Sequence, residues 1–148
     1  MVDIWTNRTS YYKYIEAVAA VLDLWNKDVI INVEFNKKLD NDAGGYCSGD
    51  KEEIDIEIAT HIQGERCTKA DIQRYIAHEM VHAKQMLEGR LIDHGLQIGT
   101  AGDTQILYKA QTWEGKIHTN TPYEKQPWEI EAYKMEEQVM KDALSCFA

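Results

Sequence analysis

Residues 68–89 read TKADIQRYIAHEMVHAKQMLEG, and this stretch organises the reading of the whole chain. Thr68 is followed three residues on by Asp71, a capping-box-like start to a helix. Ile72, Ile76, Ala83 and Leu87 then fall on one stripe, and Gly89 follows the last turn as a C-cap. One amphipathic helix is therefore predicted, beginning at Thr68. In its middle stands His78-Glu79-Met80-Val81-His82, which has the form H-E-x-x-H. Residues four apart on a helix project from one face, a turn above each other. Two imidazoles at that spacing can grip a single metal ion, and Glu79 between them can take a proton from a water that the metal activates.

The flanking sequence supplies the expected framework. Thr9-Ser10 resembles a helix N-cap, and Ile15, Val18, Ala19, Leu22 and Trp25 recur at three- and four-residue steps, predicting a helix over 11–25. Residues 29–35, VIINVEF, are rich in β-branched side chains and read as a strand. Residues 36–45 are polar and end in two glycines, the composition of a loop. Residues 46–48 suggest a short strand, with Gly49-Asp50 as a turn. Ile54-Asp55-Ile56-Glu57-Ile58 alternates strictly, as in a sheet with one face on a core and one in water. The segment 91–127 is the least patterned, with short strands suggested at Ile106-Leu107-Tyr108 and around Trp113. A last helix is expected from Trp128 toward Leu144. Elements of this kind and order imply an α+β fold.

Composition narrows the function classes. Hydrophobic residues make up 44% of 148 and charged residues 28%, proportions that suit one ordinary globular domain over 1–148. The net charge of −9 repels phosphate backbones, and no basic patch offsets it, so no nucleic-acid partner is expected. No apolar run approaches the roughly 18 residues of a membrane span, and the N-terminus lacks the pattern of a signal peptide. Cys47, Cys67 and Cys146 are odd in number and form no C-x-x-C pair; reduced thiols and a cytoplasmic location are the simplest expectation, ahead of a Cys47–Cys67 disulfide.

A catalytic zinc takes three protein ligands and leaves a position for water. His78 and His82 supply two, and Glu129 is the best-placed third. On the last helix it falls within the apolar face of Trp128, Ala132, Met135 and Val139, whereas Glu131 points away. An inward carboxylate is costly unless paired or metal-bound. The plain alternative is that Glu129 only complements the helix dipole at an N-terminus. His94, Glu131 and Glu88 are the other candidates; Glu88 occupies the third-ligand place of H-E-x-x-H-x-x-G-x-x-H, but Gln85 stands where that pattern has Gly. His118, Tyr108, Tyr123 and His94 are candidates to stabilise an oxyanion. Glu136, two turns beyond Glu129 on the same face, either orients a ligand histidine or stands at an exposed edge.

These residues resemble those of zincin metallopeptidases. HEMVHAKQ, then TWEGK, then PWEIEAY is similar to small metallopeptidase-like proteins common in bacteriophages, across about 43–135, while the first helix and strand agree in order only. In several gluzincins the third ligand is a Glu three residues before an Ala on a later helix, a spacing that Glu129 and Ala132 match. Those families often have Asp or Asn after the Ala, and here Tyr133 follows. SprT-like proteins take a third His from a His-Gly pair, which His94-Gly95 resembles. The resemblance implies a zincin-like minimal metallopeptidase core, Zn2+ as cofactor, a protein or peptide substrate, and the host cytoplasm if the chain is phage-encoded. It also implies that the alternating strand Ile54–Ile58 is the edge that pairs with extended substrate.

The expected function is a zinc-dependent peptidase with Glu79 as general base and His78, His82 and Glu129 as metal ligands. Two other readings stand beside it: a zinc-binding interaction protein with little turnover, and a zinc amide hydrolase acting on cell wall.

Overall fold

The computed structural model describes residues 1–147. The chain is α+β. Strand β1 (Asp3–Thr6) leads through a short 3-10 turn into helix α1 (Tyr12–Val21), followed by β2 (Ile30–Asn36), β3 (Gly45–Gly49) and β4 (Glu53–Ala59). A two-residue pair, β5 (His61–Ile62) and β6 (Glu65–Arg66), precedes helix α2 (Lys69–Leu87). Strands β7 (Leu91–Ala101), β8 (Thr104–Trp113) and β9 (Lys116–Thr119) follow, and helix α3 (Pro127–Ser145) closes the order.

The main sheet runs β1-β2-β4-β3, with β1, β2 and β4 parallel and β3 antiparallel at the edge. Its inner face carries Ile4, Ile31, Val33, Ile54, Ile56 and Ile58, all buried. The helices cover that face with Ile15 and Val18 from α1, Ile76 and Met80 from α2, and Ala132 and Val139 from α3. Glu53, Asp55 and Glu57 on the other face of β4 are exposed, the split that strict alternation predicts.

Several expectations need correction. The first helix is shorter than 11–25: residues 9–11 form the 3-10 turn, no side chain caps the start, and the helix stops at Val21. Asp23 has φ +61, a left-handed conformation that no helix can pass through, so Trp25 packs from outside. Strand β1 has only four residues, too few to carry a legible period in the sequence. Ile54–Ile58 is not an edge: β4 lies between β2 and β3, and the edge strands are β1 and β3, with β3 the one beside α2. The segment 91–127 is far more regular than its composition suggests, a three-stranded antiparallel sheet in order β7-β8-β9, with Ile106-Leu107-Tyr108 and Trp113 in one strand.

Helix α2 matches its expected ends. The Asp71 amide donates to Thr68 Oγ1 at 3.1 Å. Gly89 takes φ +74, and the amides of Gly89 and Arg90 return to the carbonyls of Met86 and Gln85, satisfying the helix end.

Candidate metal centre

Two helices converge on one point. Helix α2 presents His78 and His82 from one face, and both are buried because that face lies against α3 rather than water. From α3, Glu129 reaches across: its Oε1 lies 2.8 Å from His78 Nε2, and its carboxylate 2.9–3.0 Å from His82 Nε2. One donor atom from each of the three residues lies within 4.8 Å of the others, a group that can hold a metal ion.

The other ring nitrogens decide the chemistry of this contact. His82 Nδ1 meets Gln85 Oε1 at 2.8 Å, and Gln85 Nε2 donates to Trp128 O and Glu131 Oε1, each at 3.1 Å. With its amide N–H groups committed to two acceptors, Gln85 must turn its oxygen to His82. His82 Nδ1 therefore carries the proton, and in the neutral ring Nε2 is a bare lone pair facing a carboxylate. His78 Nδ1 likewise faces Glu136 Oε1 at 3.4 Å. Acceptors that converge in a buried place need a cation or extra protons between them. Two imidazole nitrogens and one carboxylate, each imidazole held from behind by an oxygen, form a donor set that fits a divalent metal.

Without a metal, protons serve instead. Burial works to lower the pKa of His82, but the Glu129 hydrogen bond and the Glu79 charge outweigh it and raise it from 6.5 to about 8. His78 is also raised, against its burial, by Glu129 and Glu79. Burial works to raise Glu129, yet its two histidine hydrogen bonds pull it from 4.5 to about 2.

Glu79 sits apart from this cluster while lining the same cleft, which measures about 1020 Å³. Among the described residues it makes no side-chain hydrogen bond, and burial above all pushes its pKa from 4.5 to about 7. It packs on the backbone of β3 at Gly45, where an added Cβ would stand 2.7 Å from Glu79 Cγ. Next to it, a Cβ on Gly44 would stand 2.9 Å from the Tyr75 ring. The two glycines let the edge strand approach α2 at Tyr75 and Glu79, one turn apart.

The remaining candidates lie elsewhere or act otherwise. His94 is exposed on β7, its Nε2 2.7 Å from Thr112 Oγ1, and takes no part in the cluster. Glu131 is held by Arg90 at 2.6 Å and Glu88 by Lys84 at 3.1 Å; neither reaches the histidines as a ligand. Of the oxyanion candidates, Tyr123 is at the site, its hydroxyl donating to Glu129 Oε1 at 3.1 Å and lying 2.8 Å from the Tyr133 hydroxyl. His118 packs edge-on against Trp128, and Tyr108 lies on the face of β8 turned from the cleft, against Gly99. Glu136 is buried rather than at an exposed edge, and its Oε1 faces His78 Nδ1 at 3.4 Å.

Three contributors were missed from sequence. Tyr133, whose ring centre lies 4.6 Å from that of His78, follows Glu129 by one helical turn, a usable signal. Gln85 follows His82 by three residues, on the same face, and is almost wholly buried. Arg90 clamps Glu131 and Glu114 while lying over the Trp113 ring, 4.6 Å from its centre; nothing local marks it. The free thiols are Cys47, Cys67 and Cys146, and no helix of the described residues is long and apolar enough to cross a membrane.

No family model, no curated protein and no solved structure matches this chain.

Proposed function

We propose that the protein is a zinc-dependent peptidase with a zincin-like core. The observation that carries this reading is the approach of Glu129 on α3 to both imidazoles of α2, beside a free glutamate in an open cleft. His78, His82 and Glu129 would hold the ion. Zinc is favoured over harder cations because two of the three donors are imidazole nitrogens. When bound, it supplies Lewis acidity and a water acidic enough to attack a carbonyl near neutral pH.

The chain's own residues do the rest. Glu79, buried in the cleft beside the two imidazoles and, among the described residues, without a hydrogen-bond partner of its own, is placed to receive the water's proton and to return it to the leaving amine. Gln85 and Glu136 hold the imidazoles in the orientation that directs Nε2 forward. Tyr123 and Tyr133 present hydroxyls beside Glu129, where a donor can stabilise negative charge developing on the substrate oxygen. Gly45 keeps the edge strand close to Glu79, and the open edge of β3 can pair with an extended peptide.

The test joins metal content to turnover. Protein purified without chelator should carry about one zinc per chain and cleave unfolded polypeptides. Glu79→Gln should keep the zinc and lose at least about a thousandfold of the rate. Zinc retained with no hydrolysis by the wild type would favour an interaction protein. Digestion of cell wall without peptide cleavage would favour an amide hydrolase.

A further inference from the structure

The sheet of β7, β8 and β9 walls one side of the cleft, and its pleat contains an irregularity with a consequence. Between Asp93 and Gly95 the register shifts, and Gly95 takes φ +67, the left-handed geometry of a bulge. Strand side chains alternate between faces, so residues three apart normally point to opposite sides. The bulge at His94 cancels one step: Asp93 pairs with Gln111, and Leu96 with Lys109. Lys109 and Gln111 are two apart on β8 and share a face.

Leu91, Asp93, Lys109 and Gln111 line the cleft. Beyond Lys109, the same face continues outward as Leu96 and the cross-strand pair Ile98–Leu107. These three apolar side chains are 64%, 69% and 67% exposed. Without the bulge, Leu96 and Ile98 would turn away from the cleft.

We propose that Leu96, Ile98 and Leu107 form an exosite that holds an apolar segment of the same polypeptide whose scissile bond lies at the metal centre. This rests on the peptidase reading. The continuity of the face selects the occupant, because a chain leaving the cleft past Gln111 and Lys109 next meets these side chains. From Gln111 to Leu107 is four strand residues, roughly 13 Å at 3.3 Å per residue. The exosite therefore contacts side chains at least about four residues from the cut bond. A second copy fits less well. Three side chains present on the order of a few hundred Å², short of the roughly 800 Å² per partner in a stable complex.

The opposite face of the same strands supplies the control. Ile92, Ile106 and Ile117 are also exposed but face away, as their pairing with Thr112 and Gly99 requires. In a Glu79→Gln background, binding of fluorescein-labelled β-casein is followed by anisotropy, so that affinity is measured without cleavage. The triple variant Leu96→Thr, Ile98→Thr, Leu107→Thr should weaken binding about tenfold or more. The triple variant Ile92→Thr, Ile106→Thr, Ile117→Thr should leave it unchanged. Zinc content and far-ultraviolet circular dichroism should match the parent in both; the single Leu107→Thr, mildest for the fold, should still weaken binding about threefold.

Unchanged affinity in the cleft-face variants, equal weakening by both triples, or no casein binding by the Glu79→Gln protein would overturn the exosite. So would a dimeric parent that the cleft-face triple makes monomeric, since the patch would then belong to a second copy. Casein hydrolysis by the otherwise unmodified protein is read separately. Its absence alongside the expected binding differences would remove the peptidase reading, whereas hydrolysis with unchanged binding would remove the exosite alone.

Discussion

At the scale of single residues, Gln85 shows how much a buried amide can determine. Its three hydrogen bonds tie α2 to the start of α3 and set the proton of His82 on Nδ1. Replacing such a partner usually costs 10–100-fold in metal affinity. Gln85→Met keeps the volume but removes the acceptor, so zinc affinity, measured by competition with a chromophoric chelator, should fall by about that factor. Unaltered affinity would mean that His82 is oriented by packing alone. The residue is visible in sequence only as a polar interruption one turn past the motif, and a helical wheel cannot tell an amide that bonds a histidine from one in water. Glu129 was more legible, since a carboxylate on an apolar stripe is costly without a partner.

At the scale of elements, the decisive pairing is β3 against α2. Strand β3 is short and rich in glycine, yet it forms one edge of the main sheet and touches the catalytic candidate Glu79. Gly45→Ala would drive a methyl into the Glu79 side chain, and the chain that yields is the glutamate. The expected result is zinc content like the wild type with turnover lowered about tenfold or more, read from kcat on an unfolded polypeptide. Equal turnover in the two proteins would show that Glu79 has room to spare. The alternating run Ile54–Ile58 announces a strand clearly, but alternation reports only which face is buried. Whether a strand is central or at an edge depends on its neighbours, and both neighbours of β4 come from elsewhere in the chain.

At the scale of the whole molecule, the candidate metal centre joins two helices through residues 47 and 51 positions apart in the chain, so its protonation is linked to folding. In the metal-free protein, His82 is raised from 6.5 to about 8; its stabilisation is complete below 6.5 and is lost as pH climbs through 8. Glu129 is lowered from 4.5 to about 2; its stabilisation holds above 4.5 and is lost as pH falls through 2. Glu79, raised from 4.5 to about 7, favours the folded state while protonated; that benefit is full below 4.5 and is lost as pH climbs through 7. The three together predict a metal-free stability maximum near pH 4.5, with a decline from there toward pH 8 that His82 steepens above 6.5. Zinc must displace the extra histidine proton, so the rise in Tm on adding zinc should grow over pH 6.5–8. Melting curves with and without chelator over this range check both trends. A metal-free Tm that climbs steadily to pH 8 would contradict the buried proton-shared cluster.

Local pattern alone was enough to specify the helix of residues 69–87, the alternation of β4, the amphipathic last helix and the placing of two imidazoles with a glutamate on consecutive turns. These are local periodicities, written in neighbours three, four or two residues apart, and local propensity is enough to express them. It took the packed chain to bring Glu129 rather than His94, Glu131 or Glu88 to the imidazoles, to set β3 rather than β4 at an edge, and to turn Leu96 toward the cleft through a bulge at His94-Gly95. Each depends on contacts between distant segments, whose outcome is set by which apolar faces pack together and by where every buried donor and acceptor finds its partner.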